Sequence, residues 1–110
     1  MARGDHLGEF ELIVLAAVMR VGADAYGVAV HEEIERRTGR SVAIGSVYKA
    51  LERLKRKGLV ESRRGDPTPV RGGRAKQHFV VTGSGRRALA TTVARLDRMF
   101  DGLDLEWGRA

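Results

Sequence analysis

The sequence predicts a mainly helical fold with one small β-hairpin, and three observations predict it. Four segments place apolar residues as helices do. Two short runs of strand-forming character flank a stretch that holds both prolines of the chain. The surplus positive charge, +6 overall, is concentrated in one central block. A length of 110 residues allows one domain and not two. A core of that size also gains from pairing with a second copy.

The first helix is expected over Glu9–Arg20, where Phe10, Leu12, Ile13, Val14, Leu15, Ala16, Ala17, Val18 and Met19 form a nearly continuous apolar run. Its length and its Leu, Ala and Met content favour helix over strand. A helix apolar on most sides must be covered by its own domain and by a partner. Gly22 ends it. The second helix is expected over Ala25–Thr38, with Asp24 as N-cap and Gly39 just past its end. Val30 and Ile34, with Tyr26 or Gly27 a turn earlier, give its apolar stripe, and Glu32, Glu33, Arg36 and Arg37 its exposed side.

A third helix, Ile44–Lys57, is closed by Gly58. Val47, Leu51 and Leu54 recur at +4 and +3 and form one buried stripe. At 100° per residue, Ser46, Lys49, Arg53 and Arg56 fall on roughly the opposite side. Leu59–Arg64 and Gln77–Val81 read as strands, and Gly65–Arg74 as a long tip between them. The last helix is capped by Thr82 and runs to about Leu103 or beyond. Leu89, Val93, Leu96, Phe100, Leu103 and Trp107 alternate by four and three, a short heptad seam whose end Gly102 and Gly108 weaken.

Charge narrows the function. Residues 1–48 carry a net −2 and residues 88–110 a net −1, whereas residues 49–87 hold twelve Lys and Arg against three acids. That block is the electrostatic footprint of a polyanion binder, although a merely solvated face would show the same charge. The absence of cysteine excludes disulfides and thiolate metal sites and fits a reducing cytoplasm. The N-terminal residues are polar and unlike a secretory signal. The longest apolar run, Leu12–Met19, falls short of the roughly 20 residues that span a bilayer. The expectation is a cytoplasmic protein away from membranes. No phosphate-binding glycine pattern or catalytic arrangement occurs, so neither an enzyme nor a cofactor is expected. Gly83-Ser84-Gly85 reads as a helix entry. His31 and Glu35 stand four apart but read as helix surface rather than as metal ligands.

Helix, helix, helix, strand, basic tip, strand, helix is the order of a winged helix-turn-helix with an added C-terminal arm. The division expected is 1–82 for the DNA-binding part and 83–110 for a dimerisation helix. A major groove about 12 Å wide admits one helix whose exposed face offers donors to phosphates and base edges. Ser46, Lys49, Arg53 and Arg56 are the candidates there, and Lys49, nearer the N-terminus, is the better one for a base edge. Arg71, Arg74 and Lys76 can reach a neighbouring minor groove or the backbone from the tip, and Tyr26 stands near a helix N-terminus, where phosphates also bind.

From Leu7 to Leu89 the chain resembles the PadR family of transcriptional regulators. The resemblance lies in Leu-Gly-Glu-Phe-Glu-Leu (7–12), Ala-Tyr-Gly-Val (25–28), Gly-Ser-Val-Tyr (45–48), Leu-Glu-Arg-Leu-Lys-Arg-Lys-Gly-Leu-Val (51–60), Arg-Gly-Gly-Arg-Ala-Lys (71–76) and the threonine-led string from Thr82. It implies a homodimer in which first and last helices pack across a two-fold axis. It also implies repression at inverted-repeat operators in double-stranded DNA, and in many members a response to small aromatic or apolar compounds. A DNA-contacting tyrosine matches Tyr48, and basic wing residues match 71–76. The short length resembles the branch with a single C-terminal helix. One departure is that His78 precedes Phe79 where members often carry an aromatic pair.

Several assignments have two readings. Tyr48 is a phosphate contact through its hydroxyl or a half-buried core residue. The dimer seam is assigned to Phe10, Leu89, Val93, Leu96, Phe100 and Leu103. Trp107 either closes that seam or, with Phe10, Met99 and Phe100, lines a pocket for a small effector. The alternative function is accordingly a small-molecule sensing or sequestering protein that uses the dimer cavity. A third is a module meeting an acidic protein through the same basic block.

Overall fold

A computed structural model describes residues 7–67 and 75–105, with the side chains of 7–64 and 77–105. Helix α1 spans Glu9–Val21 and ends at Gly22. Its residues Val14, Leu15, Ala17 and Val18 are buried, while Phe10, Leu12 and Ile13 stay partly open against the same core. A 3₁₀ turn, Gly22–Asp24, leads to helix α2 (Gly27–Thr38). Helix α3 spans Ile44–Arg56, followed by strand β1 (Val60–Pro67), strand β2 (Ala75–Val81) and helix α4 (Gly83–Phe100). The fold is mainly α with a two-stranded antiparallel sheet, as the sequence predicts.

Helix α2 begins two residues later than its periodicity suggests, and the hairpin is the cause. The Phe79 N–H donates to the Ala25 carbonyl at 2.9 Å, and Tyr26 bridges His78, so residues 25–26 form a third edge beside β2. Backbone groups engaged that way cannot also open a helix. Asp24 therefore lies in the 3₁₀ turn, and Tyr26 takes the N-cap place without a side-chain cap bond. Glu33, expected on the exposed side, is buried. Helical geometry explains this: three residues past Val30 and beside Ile34, it shares their face. Its carboxylate is held by Arg36 and by Arg37 Nε at 3.1 Å. The Arg36 hydrogen bond, opposed by burial and aided by the Arg36 and Arg37 charges, lowers its pKa.

The core gathers Leu15, Val18, Val30, Ile34, Val47, Leu51, Leu54, Val60 and Phe79 where the first three helices meet the hairpin. Full burial of side chains of this kind contributes about 1.5–3 kcal/mol each. His78 lies edge-on to the Tyr26 ring at 5.8 Å. Phe79 itself is fully buried. The strands pair from Val60↔Val81 to Arg64↔Gln77, then shift register to Pro67↔Ala75. Strand pairing thus reaches farther out than the expected Gly65 start of the tip.

Thr82 joins hairpin to arm as the sequence predicts. Its hydroxyl accepts from the Gly85 N–H at 3.0 Å and donates to the Gly58 carbonyl at 2.8 Å. Gly85 is needed for a close approach, since a Cβ there would lie 2.1 Å from the Leu59 carbonyl oxygen. The arm is shorter than expected. Helix α4 stops at Phe100, the chain turns at Asp101-Gly102, and Leu103 leaves the helical seam. Asp101 leaves helical geometry at ψ 132° and Gly102 follows at φ 82°, a turn that ends the helix heptad spacing alone would continue.

Candidate nucleic-acid interface

Helix α3 has two unlike faces. Val47, Ala50, Leu51 and Leu54 are wholly buried, and this fixes the helix about its own axis. The opposite face presents Tyr48, Lys49, Glu52, Arg53 and Arg56 around an open depression of about 360 Å³. Three of the cations expected to meet DNA are therefore brought together, with Tyr48 among them. Ser46 is not in that group. It lines a separate depression with Phe10, Arg40, Ser41, Val42 and Ala43.

Tyr48 combines features of both its readings. It is 44% exposed. Yet its ring lies so close over α2 that a Cβ on Gly27 would sit 2.3 Å from Cζ and 2.4 Å from the hydroxyl oxygen. Only glycine at 27 admits this approach. Tyr48 therefore spans from the exposed face of α3 to the first turn of α2, where helical N–H groups lack intrahelical acceptors. Tyr26 stands at the α2 N-cap, partly buried beside His78 rather than on the α3 face.

Two polar devices hold α3 in place, and neither is evident in the sequence. The first clamps the turn before it. His31 Nε2 bonds the Val42 carbonyl at 2.7 Å, and the Val42 N–H donates to Glu35 Oε2 at 3.0 Å. One residue of the 40–43 connection is thus gripped on both sides by side chains one turn apart on α2. His31 and Glu35, expected as plain helix surface, are partly buried for this reason.

The second device is Glu11, a carboxylate on α1 with only 7% exposure. It accepts from Lys57 Nζ at 2.8 Å, from Arg53 Nε at 3.2 Å and from the Gly8 N–H at 3.1 Å. Burial by itself would raise its pKa. The Lys57 hydrogen bond, the Gly8 N–H, the Lys57 charge and the Arg53 hydrogen bond together outweigh it and hold the carboxyl below its usual value. The charge is thus retained.

Among the described residues, the face assigned to pairing is largely uncovered. Val93, Leu96 and Phe100 on α4 are all exposed, Met99 reaches 75%, and Leu103 and Leu105 beyond the helix are open as well. Leu89, nearest the core, is partly buried. Phe10, expected with this group, is half-buried under the Arg40 guanidinium, 5.6 Å from its ring centre. The depression it lines contains no α4 residue. Arg71, Arg74, the Lys76 side chain and Trp107 lie outside the described residues, so the wing-tip contacts and the Trp107 readings rest on sequence. Among the described residues no helix is long and apolar enough to cross a membrane, and no cluster of potential metal ligands occurs.

The family model described as the transcriptional regulator PadR-like family matches residues 14–91. No curated protein matches the chain. Among solved structures, a complex structure of hsRosR-S1 is similar at 24% identity and TM-score 0.72, covering 93% of this chain and 83% of that one. RosR of H. salinarum grown from NaBr gives 24% identity and TM-score 0.69, over 94% and 86% of the two chains. A PadR family regulator from Eggerthella lenta DSM 2243 gives 21% identity and TM-score 0.67, over 86% and 81%. Members of the matched family are DNA-binding regulators, not enzymes. With the family model spanning most of its helices and its hairpin, the chain belongs to the PadR-like family of transcriptional regulators.

Proposed function

We propose that this regulator is a cytoplasmic repressor that binds an inverted-repeat operator as a homodimer. One observation carries the reading: Lys49, Arg53 and Arg56 line one open depression with Tyr48 on the exposed face of a helix whose other face is locked in the core. A helix held that way can enter a major groove without re-ordering. Lys49, Arg53 and Arg56 supply donors to phosphates or base edges, while Ser46 and Tyr26 stand off this face, so that any contact of theirs falls elsewhere on the DNA. The Tyr48 hydroxyl beside the α2 N-terminus suits one phosphate oxygen, because both groups favour an anion at the same place. Arg71, Arg74 and Lys76 extend the contact from the wing. The uncovered seam of α4 supports pairing with a second copy, which places two reading helices on two half-sites.

The test is a binding titration on the DNA flanking the reading frame, repeated over a range of salt. Lys49→Ala costs about 1–3 kcal/mol on a specific site and little on unrelated DNA. Arg71→Ala and Arg74→Ala weaken both, and each flattens the log–log salt slope by about one unit. Unchanged affinity in all three variants contradicts this assignment of contacts.

Release by a small apolar or aromatic effector is the second part of the proposal. The exposure of Met99 and Phe100, 75% and 51%, favours it, since paired arms would enclose these side chains. A small aromatic compound that quenches Trp107 and lowers operator affinity supports release. Quenching without any effect on DNA binding favours the sensing or sequestering alternative.

A further inference from the structure

We propose that Glu11 is a positioning residue for DNA reading, holding the Arg53 guanidinium by its inner nitrogen so that its outer edge faces the operator ready-aligned. The proposal rests on the reading of α3 as the DNA-contacting helix. Arg53 carries five N–H donors in a rigid plane. Its Nε is bound to Glu11 at 3.2 Å, and no hydrogen bond occupies its two terminal nitrogens among the described residues. Those nitrogens belong to a side chain that lines the exposed α3 depression and is 43% exposed. A guanidinium gripped at Nε has lost most of its torsional freedom already, so a forked contact from its outer edge costs less ordering on binding.

Glu11 is suited to that task by its own fixation. It is buried, its oxygens are shared among Lys57 Nζ, Arg53 Nε and the Gly8 N–H, and α1 carries it on a helix packed into the core. A surface acid would compete with phosphate for Arg53 and could be pulled away with it. A buried carboxylate stays behind and keeps the plane oriented. Glu11 also offsets charge that would otherwise strengthen binding to any DNA, so the same contact favours discrimination over affinity.

The experiment is a double-mutant cycle on the dimer, with Glu11→Gln and Arg53→Ala alone and together. Affinities for operator and for unrelated DNA are read for each protein. Glu11→Gln is expected to lower the ratio of operator to unrelated affinity about tenfold. Its affinity for unrelated DNA holds or rises, and its salt slope is unchanged or steeper. In the Arg53→Ala background the same substitution leaves the ratio where it was.

An unchanged ratio for Glu11→Gln, or an equal drop in both backgrounds, overturns the proposal. So does a parallel fall on both DNAs, which marks a structural role only. Should Glu11→Gln fail to fold, Arg53→Lys takes its place. It keeps the charge and removes the fork, and it is expected to lose the ratio while retaining affinity for unrelated DNA. A wild-type ratio for Arg53→Lys contradicts the proposal. If Arg53→Ala itself leaves operator binding untouched, the placing of Arg53 at the DNA fails, and this inference falls with it. If Arg53→Ala weakens the operator complex but Glu11→Gln does not, this inference alone fails.

Discussion

Helices α3 and α4 show the same kind of amphipathic spacing, and the chain treats them in opposite ways. On α3 the apolar stripe is fully covered by α1, α2 and the hairpin, and the polar face is braced by Glu11 and by the His31–Glu35 grip on Val42. On α4 the first turns reach the core, through Gly85, Ala88 and Leu89, while Val93, Leu96 and Phe100 are exposed. The head buries its apolar stripe within one chain, whereas the arm leaves its own exposed. Periodicity reveals that each helix has a face to bury; only packing shows whose surface buries it.

The largest expected effect comes from attacking the arm. Leu96→Asp with Phe100→Asp leaves the head folded, because both side chains are already exposed. It abolishes pairing and lowers operator affinity by about 100-fold or more through loss of the second half-site. Sedimentation and gel-shift titration read the two consequences, and a persistent dimer breaks the comparison. Next comes the junction between arm and head. Gly85→Ala sets a Cβ against backbone rather than a mobile side chain, so it destabilises by about 1–3 kcal/mol. The melting temperature falls by roughly 4–8 °C per kcal/mol for a domain of this size.

A smaller effect is expected inside the head. His31→Ala removes one of two bonds on Val42 and costs about 1 kcal/mol in stability. Operator binding suffers more than binding to unrelated DNA, because the turn it holds sets the entry of α3. The smallest effect concerns pH. Glu11 titrates lower in the folded protein than in the unfolded chain, whose carboxyl stays near 4.5. Its stabilising contribution is complete above that value and is lost as pH falls through the lower folded one. Acid titration of Glu11→Gln should therefore show a shallower loss of stability below about pH 4.5 than the parent does.

What was legible followed from local rules. The Val47–Leu51–Leu54 stripe, the Thr82 cap and the helix end at Gly39 each need only a few neighbouring residues, and all three stand in the structure. The misplaced features all involve distant partners. Glu11 meets Arg53 and Lys57 across 42 and 46 positions, and a glutamate in an apolar helix carries no sign of it. His31 and Glu35 act on a loop residue that sequence assigns no role. The α2 start moved because β2 claims Ala25, an event of tertiary pairing. The arm ends early at the Asp101-Gly102 turn, whose glycine weakens a helix that the heptad spacing alone would continue.

The most direct test of the two-copy reading head is a hydroxyl-radical footprint on the DNA beside the reading frame. Two protected patches related by two-fold symmetry, with centres about one helical turn (10–10.5 base pairs) or a multiple of it apart, are the predicted result. A single protected patch without symmetry, bound by one chain, would contradict it.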